Sequence, residues 1–160
     1  TTNPSAPNTT QQNTGVQYTA DDTLRNHIEK GENTTSRRRG VRGAHVKDKF
    51  LTNDILVVSS TSHPQIPGVE MIEYRMPKRD KTGTPIPGQY QAGDPHKKTI
   101  YDPNVFATDE YIRRGLEAAN NGSKAYPDGK LPREWSGYDN DGVRWRGYYQ
   151  NGQITSFYPD

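Results

Sequence analysis

Residues 37–63, RRRGVRGAHVKDKFLTNDILVVSSTSH, carry the reading of this chain: a basic, glycine-jointed loop leads into His45, an apolar stretch follows, and His63 closes the segment eighteen positions after His45. Gly40 and Gly43 bracket Val41 and Arg42. Paired glycines let backbone approach a ligand closely and turn N–H groups toward an anion. Residues 37–49 hold Arg37, Arg38, Arg39, Arg42, Lys47 and Lys49 against one acid, Asp48, in a chain whose net charge is only +2. A local patch of this kind attracts phosphate whatever the overall balance. The bland alternative is a solvated basic loop.

Working outward, residues 54–60 (DILVVSS) are apolar and β-branched and predict a central strand. Residues 61–64 (TSHP) end it and leave His63 held by Pro64 at a strand terminus, on irregular backbone fixed by a rigid element. Residues 46–51 predict a helical turn docked through Phe50 and Leu51. Residues 21–30 predict a helix capped by Asp21 or Asp22, with Leu24 and Ile28 on one face and Gly31 as its stop. His27 falls on that helix as a surface residue. Residues 1–20 contain no charged side chain and no histidine; this is the composition of a disordered linker. Residues 21–36 then form a helix and connector, and 37–160 the main folded domain.

Toward the C-terminus, residues 69–76 (VEMIEYRM) predict a half-buried strand, and 77–94 a long hairpin-like excursion. Residues 96–103 read as a strand closed by a turn, with Lys97 and Lys98 on opposite faces. Residues 108–121 form the clearest helix, burying Ile112, Leu116 and Ala119 and stopped by Gly122. Residues 123–140 read as loop, with Trp135 as a packing anchor. Asn151-Gly152 between two strand-like runs, 143–149 and 153–158, is a hairpin signal. The class is α+β.

At 160 residues the chain suits one domain. Only 29% of it is hydrophobic, so the core is small, and ten tyrosines and two tryptophans must supply much of the buried area. The absence of cysteine excludes disulfides, thiolate zinc sites and cysteine nucleophiles. No run reaches the roughly 18 apolar residues of a membrane span, and no signal peptide stands out. Without a starting methionine the chain reads as a piece excised from a longer protein. No histidines or carboxylates cluster at metal-ligand spacing, and Asp139 and Asp141 read as turn residues.

Two imidazoles and one ammonium suffice to cleave RNA without metal. One histidine takes the proton of the ribose 2′-OH, the other protonates the departing 5′-oxygen, and a lysine stabilises charge on the pentacoordinate phosphorus. Histidine suits both proton roles because its pKa of about 6.5 lies near working pH, and each transfer is worth on the order of 10²–10⁴ in rate. His45, His63 and a lysine at 97 or 98 offer that set, followed by a terminal hairpin with Thr155, Ser156 and Tyr158. DNA, lacking the 2′-OH, would not be cut.

The segments RRRGVRGAH-x-KDKF, STSHPQIPGVEMIEYRMPK, KKTIYDPNVF and NGQITSFYP, in this order, resemble the bacterial EndoU-type ribonuclease domain. The closest likeness is to its version at the C-terminus of contact-dependent inhibition and other polymorphic toxins. The likeness runs from about residue 38 to the end. It implies an EndoU-like α+β fold in which two small antiparallel sheets form a cleft, with N-terminal helices, helix 108–121 packed outside and a C-terminal hairpin. It assigns His45 and His63 as the acid–base pair, Lys98 as the third catalytic group and Thr155 as a hydroxyl on phosphate or base. Arg42, Gly43, Lys97, Ser156, Phe157 and Tyr158 would then contact substrate. The family places an aromatic two residues after that hydroxyl; here it is Phe157, with Tyr158 adjacent. The likeness further implies RNA cut to a 2′,3′-cyclic phosphate, often beside uridine, with tRNA as a candidate target, no metal or cofactor, and a cognate immunity protein as partner. It implies a monomer off the membrane, delivered from a producing cell to act in the target cytoplasm.

Two other readings compete. A barnase- or colicin-like ribonuclease would use a Glu/His pair, making Glu73 matter and His63 not. A non-catalytic binding module would use the basic loop and aromatic hairpin to hold a partner. For His96 a structural role beside the lysines is favoured, and for Tyr148, Tyr149 and Trp145 packing is favoured over base stacking.

Overall fold

The computed structural model describes residues 18–31, 35–36 and 40–160. Arg37, Arg38 and Arg39 lie outside the described residues, as does most of the stretch read as linker. The described residues divide into two compact units, residues 21–112 and residues 113–160 together with residues 18–20.

In the first unit, helix α1 (Asp22–Lys30) starts where expected. The Asp21 carboxylate accepts from Leu24 N–H, and Gly31, at φ 75°, closes the other end. Late helix carbonyls have few intrahelical partners, and Gly31 N–H reaches those of Asn26 and His27. The carbonyls of His27 and Ile28 also accept from Ala44 N–H and His45 N–H at 2.9 and 2.6 Å. The histidine loop is therefore moored to a helix end. A two-residue ribbon, β1 (Thr35–Ser36) with β2 (Gly40–Val41), enters this loop. The short helix α2 (Lys47–Phe50) leaves it. Phe50 is fully buried, but Leu51, expected to dock beside it, is 45% exposed.

Strands β3 (Leu56–Ser62), β4 (Val69–Arg75) and β7 (His96–Tyr101) form an antiparallel sheet in the order β3-β4-β7. This corrects the placement of 54–60. The apolar strand is at the edge, every residue of it is exposed, and the central position belongs to β4. Composition misled because β4 buries Val69, Ile72 and Tyr74 and the chain's aromatics fill the rest. Val41, Ala44, Phe50, Ile72, Tyr74, Met76 and Ile100 make that core. Strands β5 (Pro77–Arg79) and β6 (Pro85–Tyr90) form the expected hairpin excursion. Its turn is tied by the Asp80 carboxylate accepting from Thr82 and Thr84 N–H.

Helix α3 (Thr108–Ser123) runs one residue past its expected stop. Gly122 is inside it, and a side chain there would strike the Ser136 carbonyl of strand β8 (Glu134–Tyr138). That glycine serves close helix–sheet packing. β8 itself lies within a stretch read as loop; EWSGY has no apolar alternation for a strand signal to rest on, although Trp135 is buried as expected. Strands β9 (Arg144–Gln150) and β10 (Gln153–Pro159) flank Asn151-Gly152. Both turn residues have positive φ, 52° and 81°, as a type I′ hairpin requires. The sheet order is β10-β9-β8. Phe157, Trp145, Trp135, Ala118 and Ala119 are among the residues buried between it and the helix. Tyr18 is buried in this unit too, its hydroxyl donating to Gly129 C=O and accepting from Leu131 N–H.

Candidate active site

His45 is 5% exposed and held from three sides. Its N–H reaches Ile28 C=O, its C=O accepts from Tyr101 N–H at 2.8 Å, and its ring lies 6.0 Å from that of Tyr111. Its Nδ1 is 2.7 Å from the Thr99 carbonyl oxygen. A carbonyl only accepts, so Nδ1 carries the proton and Nε2 is left with its lone pair. Burial, reinforced by the positive charge of Lys98, pushes the imidazole pKa well below its ordinary value. The ring is thus neutral at neutral pH with one nitrogen ready to accept a proton. Ala44, immediately before it, sits at φ 54°, a conformation costing a non-glycine residue about 1–2 kcal/mol. The paired contacts to α1 hold it there.

The glycines of the loop are needed for another reason than ligand approach. Gly43, at φ 69°, lies against the His27 carbonyl and Gly31, and Gly40, at φ 76°, lies against the Tyr74 hydroxyl and the His96 ring. Their missing side chains make room for the chain itself. Tyr74 hydroxyl in turn accepts from Val41 N–H at 3.0 Å. Arg42 between them is exposed.

His63 is also 5% exposed. It extends β3 by one pair, its N–H donating to Val69 C=O at 2.8 Å. The Gln65 N–H donates to its Nδ1 at 3.1 Å. In this ring Nδ1 is therefore the acceptor and Nε2 carries the proton, the reverse of His45. The row His63, Val69, Tyr101, His45 crosses the sheet through successive backbone pairs.

Neighbouring lysines on β7 separate by face. Lys97 is exposed and pairs in register with Glu73, whereas Lys98 pairs with Ile72, is half-buried and donates from Nζ to Val41 C=O at 3.1 Å. Lys98 is the one whose charge acts on His45. Glu73, the residue of the competing Glu/His reading, accepts from Ser59 hydroxyl at 3.3 Å. Beside them the Lys47 ammonium meets Glu70 at 2.7 Å, and the Ser60 hydroxyl donates to the same carboxylate. Lys47 first and then Ser60 hold the Glu70 carboxyl below its usual range.

The hydroxyl-bearing hairpin belongs to the other unit. The β9–β10 register slips between Ile154 and Ser156, leaving Thr155 as the bulged, exposed residue. A bulge re-aims side chains and is common beside active sites. Here it puts Ile154 inward while Ser156 and Tyr158 share the outer face with Tyr148 and Arg146. Phe157, expected at the substrate, is instead fully buried, its ring 5.7 Å from Trp145 and 6.4 Å from Trp135 and packed on Gly115 of α3. Its role is core packing. Among the described residues no three His, Asp or Glu side chains gather to hold a metal ion.

Sequence reasoning missed the partners that set the two tautomers, Thr99 C=O and Gln65 N–H, because backbone groups leave no signature in residue types. Asp139 is the turn residue it was read as, accepting from Asp141 N–H on its carboxylate and from Gly142 N–H on its carbonyl, but that reading missed its burial and its side-chain partners. Asp139 is buried and accepts from Arg114 Nε and Trp145 Nε1, both at 2.9 Å, and from Val143 N–H.

The profile of the bacterial EndoU nuclease family matches residues 21–160. Among curated proteins, the tRNA nuclease CdiA of Escherichia coli strain STEC_O31 is 31% identical over 140 residues, covering 78% of this chain and 4% of that protein. The tRNA nuclease CdiA of Yersinia mollaretii is 30% identical over 132 residues, again 78% of this chain and 4% of the relative. The chain thus spans a small fraction of the length of the curated relatives it matches.

Proposed function

The chain belongs to the bacterial EndoU nucleases, and from that premise we propose that it is an RNA-cleaving toxin domain that acts by 2′-OH attack and leaves a 2′,3′-cyclic phosphate. The observation that carries this reading is the opposed tautomers of two buried histidines: Nδ1 of His45 donates to Thr99 C=O, while Nδ1 of His63 accepts from Gln65 N–H. One ring therefore presents a bare Nε2 and the other an Nε2–H.

In the proposed step, His45 Nε2 takes the 2′-OH proton as that oxygen attacks phosphorus. The P–O5′ bond breaks, and the leaving oxygen takes its proton from His63 Nε2. His63 enters this step as imidazolium, having exchanged its Gln65 contact for a proton on Nδ1. Lys98 stabilises the phosphorane charge, a role in which a fixed charge in a low-dielectric site is effective. Arg42 and Lys97, both exposed, hold flanking phosphates, Gly43 shapes the loop that carries Arg42, and Thr155, Ser156 and Tyr158 contact phosphate or base. The reaction draws on no cofactor.

The relatives' names make transfer RNA the substrate to test first, and delivery into a target cell with a cognate immunity protein the biological setting. The test is incubation with tRNA and with total RNA in EDTA, followed by analysis of the 3′ ends. Discrete fragments ending in 2′,3′-cyclic phosphate are expected. Intact RNA in EDTA that is cut once Mn²⁺ is added would overturn the metal-free mechanism.

A further inference from the structure

The outer face of the β10-β9-β8 sheet forms a regular grid that continues past Ser156 and Tyr158, the two residues on it assigned above to substrate, to Arg144, Arg146 and Tyr148. Along β9, Arg144, Arg146 and Tyr148 follow at every second residue, while Trp145 and Gly147 between them are buried. Their register partners on β8 are Tyr138, Ser136 and Glu134. On β10, Tyr158 stands opposite Arg146 and Ser156 opposite Tyr148. The bulge at Thr155 makes this possible, since without it Ser156 would share the face of Ile154. Tyr148 and Tyr138 are 40% and 58% exposed. An open depression of about 140 Å³ lies here, lined by Arg144, Arg146, Tyr148, Tyr158 and Tyr126 among others.

The charges on this face have a telling arrangement. Asp160 places one carboxylate oxygen 3.3 Å from Arg144 Nη1 and 3.1 Å from Arg146 Nε. An oxygen anion between two guanidinium groups is the arrangement in which arginines hold a phosphate. The two arginines are about 6.7 Å apart along the strand, a repeat suited to consecutive phosphates of an unstacked strand. Alternation of guanidinium and phenol rings on a flat, pleated surface suits bases stacked on aromatics with backbone phosphates on cations. An acidic protein surface would also match arginines and tyrosines; what favours RNA is the single anion position shared by Arg144 and Arg146 in line with Tyr148, on the face that also carries Ser156 and Tyr158.

We propose that this face is a binding platform for single-stranded RNA, with Arg144 and Arg146 on phosphates and Tyr148 under a base, extending the substrate contacts beyond the reacting nucleotide. It rests on the RNA reading of the preceding section. The Asp160 carboxylate occupies the phosphate position between the arginines in the unbound state and yields it to the incoming strand. Glu134, opposite Tyr148 in register, disfavours phosphate at that end and sets the direction in which the strand lies.

The test uses the full chain and a fluorescent single strand of 2′-O-methyl RNA, which lacks the attacking hydroxyl, so that binding is read without cleavage. Tyr148→Ala is expected to weaken binding about tenfold. Arg146→Ala is expected to weaken it by a similar factor and to reduce the salt slope by about one. Asp160→Asn is expected to tighten it. Circular dichroism and melting temperature confirm that each variant is folded. If both weakening variants bind within twofold of the parent, the platform is overturned. It is likewise overturned if poly-glutamate displaces the RNA as effectively from Tyr148→Ala as from the parent, because a purely electrostatic surface then suffices. A chain that cuts natural RNA while its variants bind alike loses the platform and keeps the nuclease. Tyr148-dependent binding without cleavage supports the platform and removes the nuclease reading.

Discussion

His45 donates its Nδ1–H to the carbonyl oxygen of Thr99 at 2.7 Å, across 54 residues of sequence. That contact fixes the ring's tautomer, while burial, reinforced by the positive charge of Lys98, keeps the imidazole neutral against the pull of the Thr99 carbonyl toward the charged form.

Because His45's pKa is lowered in the fold, the unfolded chain binds a proton there that the folded chain does not. Stability should therefore be full above the unfolded value of about 6.5 and fall as pH drops below it toward the depressed folded value. Urea unfolding at stepped pH should show His45→Gln losing less stability than the parent between about pH 6.5 and 5. Parallel pH profiles of the two proteins would refute the assignment.

Lys98 and Lys97 should separate sharply on substitution. Lys98→Met removes the charge that adds to burial in depressing His45 and is expected to raise the His45 titration point in NMR. It should also cost about 10²–10³ in kcat if Lys98 stabilises developing charge. Lys97→Met should leave the His45 titration where it is, with any effect confined to KM. Equal kcat losses for the two variants would reject the division of roles.

Asp139 is the buried partner of Arg114. Burial alone would raise its carboxyl, but hydrogen bonds from Val143 N–H, Trp145 and Arg114 outweigh this and hold the pKa below its usual value. Asp139→Ala leaves the buried Arg114 guanidinium without its close partner and with the exposed Asp141 carboxylate at 3.6 Å, and should cost about 3 kcal/mol in denaturant unfolding. Arg113→Ala, which removes the pair of the exposed Arg113 with Glu117 on the same helix, should change stability by no more than about 0.5 kcal/mol.

Gly43→Ala should damage the site through the fold. A methyl group there meets the His27 carbonyl at a φ of 69°, so about 2–4 kcal/mol of stability should be lost and activity with it. Thr155→Val, at an exposed bulge, should leave the melting temperature alone and lower kcat/KM about tenfold or more. A Thr155→Val enzyme of parental activity would remove that hydroxyl from the site.

Legibility in the sequence followed the range of the interactions. The Asp21 cap, the Gly31 stop and the Asn151-Gly152 hairpin are decided by residues within four positions of one another, and each stood where the sequence placed it. The edge position of β3 could not be read from LVVSS, because apolar, β-branched residues predict a strand but not which neighbours will pair with it. Gly122 and Phe157 were misjudged for the same reason. A glycine reads as a helix stop and an aromatic as a contact until Ser136 and the two tryptophans are packed against them.

By itself, the sequence determined an α+β chain with short capped helices and tight turns, two histidines eighteen residues apart and lysines adjacent on one strand. Local backbone preference and strand alternation suffice for that much. Only the tertiary structure decided which lysine acts on His45, which nitrogen of each histidine carries the proton, and that Phe157 lies in the core. Those properties are set by backbone carbonyls, N–H groups and burial supplied from distant parts of the chain, and a side chain's identity does not encode its surroundings.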